Sequence, residues 1–368
     1  MEVIKWAREV QCEWNANTCA SAAQGGHLAL LQWLRANGCP WGSSTCSMAA
    51  ASGSLEILQW ARQNGCEWNE WTCALAAERG HLRVLQWARE NNCPWNELTC
   101  SLAAKTGHFE ILKWARANGC LWNELTCYAA AENGHLEVLQ WARENHCPWD
   151  RNYKICEAAA RGGHRKVLEW ARSNGAQWNA RVCTIAAEEG HFEILQWLHA
   201  NGCEWDSETC ARAADIGRFD ILQWLRSNHC PWNQSTCLGA VRSGHLEMLQ
   251  WACTNGCECN TEVYTTAAQK GHMEILEWLH SKGYRGDAVT CAAAAQGGHL
   301  KVLQWLRSKG CEWDARTCAE ASSASRHLHI LKWARENGCD WDVRVYMNAK
   351  HFNSTEMLEW AVANGCPK

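Results

Sequence analysis

The sequence predicts an all-α solenoid of paired antiparallel helices, and three observations lead there. A phrase of about 27 residues recurs from one end of the chain to the other. Each copy carries the apolar spacing and the end signals of two short helices. The composition is lopsided, with 26 Trp and 25 Cys against 4 Phe and 5 Tyr in 368 residues. A core of that makeup follows when one unit containing Trp and Cys is copied many times.

The run GHFEILKWARANGCLWNELTC at Gly107–Cys127 typifies the repeat. Its Gly-His step marks the period through His27, His81, His108, His135, His164, His191, His245, His272, His299 and His327, with Ser54, Arg218 and Ser354 in the same slot of three degenerate copies. Successive markers stand 27 residues apart, except 29 between His135 and His164 and 28 between His299 and His327. These are thirteen units, preceded by a half unit, Met1–Trp14. With no linker or change of composition, the expectation is a single array over residues 1–368. Its last unit (Asn348, Lys350, His351, Asn353) is degenerate, as a polar C-terminal cap would be.

The first helix of each unit opens after Asn or Asp, as at Asn96, Asn123 and Asp206, whose side chains accept a bond from the free amides of a first turn. It runs through Thr-Cys-x-x-Ala-Ala and stops at Gly. The second begins at Gly-His, carries an apolar set such as Leu136, Val138, Leu139 and Ala142, and ends at Asn-Gly before Cys. Glycine there suits the left-handed position that closes a helix. Helices this short are unstable alone in water, where about 12–15 residues is already marginal. Each must bury itself against its partner and the next unit, which is the logic of a solenoid.

These residues resemble the ankyrin repeat along essentially the whole chain. Ala103, Ala104, Gly107, His108, Ile111, Leu112, Trp114, Gly119, Cys120, Trp122 and Asn123 stand in register with the ankyrin pattern, Cys taking the place of a small Ala and Trp of a Leu and a Val. The ankyrin unit is about 33 residues long. The residues missing here fall after Asn123, where ankyrins build a β-hairpin finger, and Leu125, Thr126 and Cys127 replace the Thr-Pro-Leu-His helix opening. The resemblance therefore implies ankyrin-like helix pairs without fingers, and a protein that binds other proteins, chiefly on its concave face.

Several function classes are excluded by composition. Net charge is −4 with Lys and Arg scattered, which argues against nucleic acid or an anionic membrane as partner. No run reaches membrane-spanning length and Met1–Cys12 is no signal peptide. The expectation is a cytoplasmic monomer with reduced thiols. No phosphate loop, nucleophile elbow or singular Cys-His pair stands out from the repeated copies. The chain is read as no enzyme, with no catalytic residues, metal or cofactor.

The repeated special residues read as structural. One Trp per unit lies on the second helix (Trp33, Trp60, Trp87, Trp114), with Arg89, Arg116, Arg143 and Arg172 at the matching slot on the other flank. That placement predicts an inter-repeat Trp–Arg ladder. The two cysteine columns (Cys100, Cys127 and Cys93, Cys120) are separated by six residues, wider than a zinc knuckle. Ala176, Tyr264, Tyr284 and Tyr346 replace single members while the neighbouring Cys in sequence stays, although Tyr264 and Tyr284 disappear together if the pairing runs from first helix to following turn. Buried thiols are expected. The Gly-His histidines are expected to cap helices. The rival readings are a thiol-rich metal-binding or redox protein, and a stacking platform for sugars or bases built on Trp41 and Trp95.

What breaks the symmetry is the outer stripe of the first helix. Cys100, Ala103 and Ala104 give its buried direction, so positions 98, 102 and 105 point away. Units two to five place Met48, Trp71, Leu75, Leu98, Leu102 and Leu125 there, flanked by Tyr128, while later units turn polar or small at Arg181, Glu208, Arg212, Gly239 and Glu262, Ile185 excepted. An exposed apolar patch of this kind marks a contact surface. The function expected is a protein–protein interaction scaffold whose partner is another protein.

Overall fold

The computed structural model describes residues 2, 12–149 and 154–368. Most of the half unit Met1–Trp14, with its Trp6, lies outside the described residues. The chain forms two compact units, Met1–Val182 and Cys183–Lys368. Among the described residues every regular element is a helix and none is a strand, so the absence of hairpin fingers is borne out.

In the first unit the first helices are Ala16–Gln24, Ser43–Ala51, Glu70–Glu78, Glu97–Lys105, Glu124–Glu132 and Lys154–Arg161. Four of them open after the expected capping residue, at Asn15, Asn69, Asn96 and Asn123, whereas Ser43–Ala51 opens after Gly42 with no side-chain cap. Asn96 and Asn123 accept from the amides of Leu98 and Leu125, both at 3.0 Å. The second helices are Leu28–Ala36, Leu55–Gln63, Leu82–Glu90, Phe109–Ala117, Leu136–Glu144 and Arg165–Ser173. They end at left-handed glycines such as Gly65 (φ 79°) and Gly119 (φ 82°). In two repeats of this unit the same slot holds Asn92 (φ 62°) and His146 (φ 63°) instead.

First helices of successive repeats pack closely on one another, because what they offer is small: Thr99, Cys100, Ala103 and Ala104 are fully buried. The second helices bury Ile111, Leu112 and Ala115, or Val138, Leu139 and Ala142, against their own first helix. Large side chains fill the remaining space between them. The ring of Trp95, in the turn, meets Trp114 of the next second helix edge-on at 5.9 Å, and Trp122 meets Trp141 at 5.6 Å.

The ladder exists with a different partner from the one expected. Arg116 stacks on Trp122 of its own turn (4.2 Å to the ring centre), not on a second-helix Trp. Its guanidinium also donates to the carbonyl of Cys120. The sequence of contacts is therefore arginine, turn tryptophan, next helix tryptophan. Angular position on a helix does not reveal that the turn folds back beneath the arginine.

The capping role of the histidines is corrected as well. His81, His108 and His135 occupy the N-cap position but make no side-chain cap. Instead Nε2–H of His81 donates to the carbonyl of Ala51 in the previous repeat at 3.2 Å, and that of His135 to Lys105 at 3.1 Å. The ring lies over the previous repeat's glycine, so close that a Cβ on Gly53 would sit 2.6 Å from His81. These histidines are struts between repeats.

The second unit repeats this pattern in helix pairs such as Ser207–Asp215 with Phe219–Ser227, Gln234–Arg242 with Leu246–Thr254, and Ala288–Gly297 with Leu300–Ser308. Arg218 stands in for the histidine strut and donates to the carbonyl of Gly190 at 3.0 Å. The chain's final pair is Val343–His351 and Thr355–Ala363.

Candidate partner-binding face

The first helices of repeats two to five lie in the first unit, each packed on the next. Of the seven residues expected on their outer stripe, Trp71 (45% exposed) and Leu125 (50%) stand open to solvent. Met48, Leu75, Leu98, Leu102 and Tyr128 are half-buried. The stripe sinks toward its second column because residues four apart lean over the neighbouring first helix. Farther on, Ile185 and Gly239 in that column are buried outright, so it is not a free surface throughout.

The half-buried members line clefts. One, of about 340 Å³, lies between Ser43–Ala51 and Glu70–Glu78 and is walled by Ser43, Ser47, Met48, Asn69, Trp71 and Leu75. A second, of about 280 Å³, is formed by Glu124, Leu125, Tyr128, Lys154 and Ile155. Leu98 and Leu102 sit on the intervening helix, Glu97–Lys105. The Tyr128 hydroxyl accepts from Arg161 Nη1 at 2.8 Å, which fixes the ring at the far rim. Glu70, Glu97 and Glu124 stand in the first turns of the same three helices, where the macrodipole favours an acid. The border of the patch is of mixed charge, with Lys105, Lys154 and Arg161 on the same face.

The thiols follow a different rule from the one their sequence neighbours suggest. The spatial pairs are 20 residues apart: Cys46 with Cys66, Cys291 with Cys311 (Sγ–Sγ 3.3 Å). Tyr264 and Tyr284 therefore replace both members of one pair, whereas Ala176 replaces one member opposite a retained Cys156. Retention of the sequence-neighbouring Cys is no test of pairing. The turn thiol also donates to a carbonyl of the previous repeat, Cys120 to Asn96 at 3.3 Å and Cys311 to Asp287 at 3.2 Å. Where Tyr284 replaces it, the phenol reaches back to Cys259 at 3.1 Å. Contact with the partner thiol, then burial, holds Cys46, Cys73, Cys100 and Cys127 far above the ordinary thiol value. Such thiols stay protonated and inert.

One cysteine group escaped the repeat pattern. Cys253 and Cys259 lie outside both columns, and with Cys237 their sulfurs fall within 4.8 Å of one another. The visible signal was that they occupy an arginine slot and a turn-tryptophan slot.

No helix among the described residues is long and apolar enough to cross a membrane. The family model for ankyrin repeats in three copies matches residues 237–317, and the model for many copies matches 155–199. No curated protein sequence matches the chain. Among solved structures, the human ASB11 ankyrin repeat domain is 18% identical, with 43% of this chain and 84% of that one covered and a TM-score of 0.35. The maize pentatricopeptide repeat protein PPR10 is 14% identical over 99% of this chain and 71% of its own, with a TM-score of 0.36. Helix pairs in the register of the Ala-Ala-x-x-Gly-His pattern, together with the two family matches, show that this chain carries ankyrin repeats.

Proposed function

We propose that the chain is a non-enzymatic scaffold, a cytoplasmic monomer built as one continuous array, that holds a partner protein on the first-helix face of repeats two to five. Ankyrin repeats generally serve protein–protein interaction. The observation that carries the finer reading is the open Trp71 ring at the mouth of a cleft floored by Met48 and Leu75. Leu125 and Tyr128 offer a second apolar recess two helices on. Tryptophan and tyrosine are favoured anchors at interfaces, and the two recesses suit an apolar segment.

The test is capture of partner proteins by the full chain and by Trp71→Ser and Leu125→Ser. Both positions are exposed, so melting should change little; surface substitutions usually stay within about 0.5 kcal/mol. Capture should fail for both variants and survive in Glu208→Ser and Glu262→Ser. If both apolar variants retain the partner, the face lies elsewhere.

A further inference from the structure

The arginine that stacks on a turn tryptophan six residues later is a fixture of the repeat: Arg62 on Trp68, Arg89 on Trp95, Arg226 on Trp232, Arg307 on Trp313, at 4.1–4.3 Å. In one repeat both members are replaced at once, and by the same residue. Cys253 holds the arginine slot and Cys259 the tryptophan slot. Two contacting positions that change together, from a cation–π pair to a pair of thiols, have exchanged one interaction for another. Their Cα atoms are 6.7 Å apart and the sulfurs are joined as a disulfide.

These two thiols do not stand alone. Cys237 Sγ lies 3.4 Å from Cys259 and 3.0 Å from Cys257, the turn thiol of the same repeat. The sulfurs of Cys237, Cys253 and Cys259 thus lie within 4.8 Å of one another, from a first helix, the last turn of the second helix Leu246–Thr254 and the turn after it, with Cys257 beside Cys237. Cys253 and Cys257 are separated by three residues, within the two-to-four spacing that zinc sites use. A zinc–thiolate bond is about 2.3 Å, so tetrahedral ligands stand about 3.8 Å apart. The Cys237–Cys259 separation is within about 0.4 Å of that, and the Cys253 and Cys259 sulfurs, once the bond between them is opened, can move apart by side-chain rotation. Cys253 and Cys259 are half-buried and Cys257 also walls an open groove of about 630 Å³, so an ion has a way in. Among the described residues no other group of three such ligands lies this close.

We propose that Cys237, Cys253 and Cys259 form a binding site for one thiophilic divalent cation of the zinc class, with Cys257, beside Cys237, turning in as the fourth ligand. The dithiol form takes up the ion. Opening the Cys253–Cys259 bond requires two electrons and two protons, supplied by two equivalents of a thiol reductant that leaves as its own disulfide. The ion then displaces the thiol protons to solvent. The cation occupies the space that Arg and Trp fill elsewhere and ties the turn to helix Gln234–Arg242 in their stead.

The test uses the full chain, reduced and desalted without oxygen, titrated with cobalt as a spectroscopic stand-in for zinc. Wild type should develop a thiolate-to-cobalt charge-transfer band that saturates at one ion per chain and is erased by zinc. The double variant Cys253→Arg, Cys259→Trp restores the pair found in other repeats and should fold, yet give no band. Elemental analysis after zinc exposure should find one zinc in wild type and none in the variant. Two outcomes overturn the site: no cobalt uptake by the reduced wild type, in which case the cluster is a disulfide only, or equal uptake by the restored variant.

Discussion

The guanidinium of Arg143 sits 4.4 Å from the centre of the Trp149 ring while its Nη1 donates to the carbonyl of Cys147 at 3.0 Å. One side chain thus closes the helix end and presses a tryptophan toward the next repeat, where Trp149 meets Trp170 at 5.7 Å. Arg143→Ala removes the stack, the hydrogen bond and the aliphatic packing together. We expect a loss of about 1–3 kcal/mol in denaturant unfolding, the cation–π part being about 0.5–2 kcal/mol. Arg143→Lys should recover only part, since an ammonium cannot lie flat on the ring and reach the carbonyl at once. Equal stability of wild type and the alanine variant would remove the arginine from the account.

Gly53→Ala should be costly for two independent reasons. Its φ of 74° disfavours a side chain, and the new Cβ would stand 2.6 Å from the His81 ring. We expect about 1–3 kcal/mol of destabilisation. Shortening the strut with His81→Ser, the residue that Ser54 already places in this slot, should relieve the clash but not the backbone strain. A double-mutant cycle measures the split; strict additivity would mean that the ring and the glycine do not interact.

Asn92, His146 and His229 hold a left-handed conformation where other repeats have glycine. Replacement of any one by glycine should stabilise by up to about 1 kcal/mol, the removed strain being partly offset by the greater freedom of the unfolded chain. Thermal unfolding of Asn92→Gly and His146→Gly is the measurement, and a lower midpoint in both would contradict the assignment of strain.

Acid should weaken the second unit before its carboxylates protonate. Burial, chiefly, lowers the pKa of His327 and His272, and Arg326 Nε donates to His327 Nε2 at 3.2 Å, which requires a neutral ring. A depressed histidine pKa means the unfolded state binds the proton more tightly. The stability is whole above the unfolded value near about 6.5 and is lost as pH falls through it toward the folded value. The denaturant midpoint should drop between pH 7 and 5.5, and His327→Gln should flatten that drop. A slope unchanged in the variant would exonerate this histidine.

Much of the fold was legible because it is written many times. Asn96 and Asn123 announce helix starts, Gly65 and Gly119 helix ends, and the short link after Asn123 leaves no room for a finger. What could not be read is the offset between repeats. A helical wheel gives the direction in which Arg116 points, not that Trp122 folds beneath it; nor does it tell that His81 reaches back to Ala51, or that Cys46 meets Cys66 rather than Cys39. Along the outer stripe, Trp71 and Leu125 stand exposed as expected, while Leu98 and Leu102 are half-sunk because neighbouring first helices approach closely. The cysteines at 253 and 259 were hidden by abundance, in a chain where thiols are the rule.

The stitches between repeats share one property: each returns to a point some 20 to 30 residues earlier in the chain, as Cys120 does to Asn96 and His81 to Ala51. A whole repeat inserted or excised inside either unit would therefore find every donor and acceptor it needs already in place on both sides, provided the cut respects the 27-residue frame. The 28-residue repeat shows that an extra residue can be absorbed as well: Cys339 still donates to Asp314 and Arg335 still stacks on Trp341. Length is thus a quantity this architecture can vary by copying and deletion, in steps of one repeat.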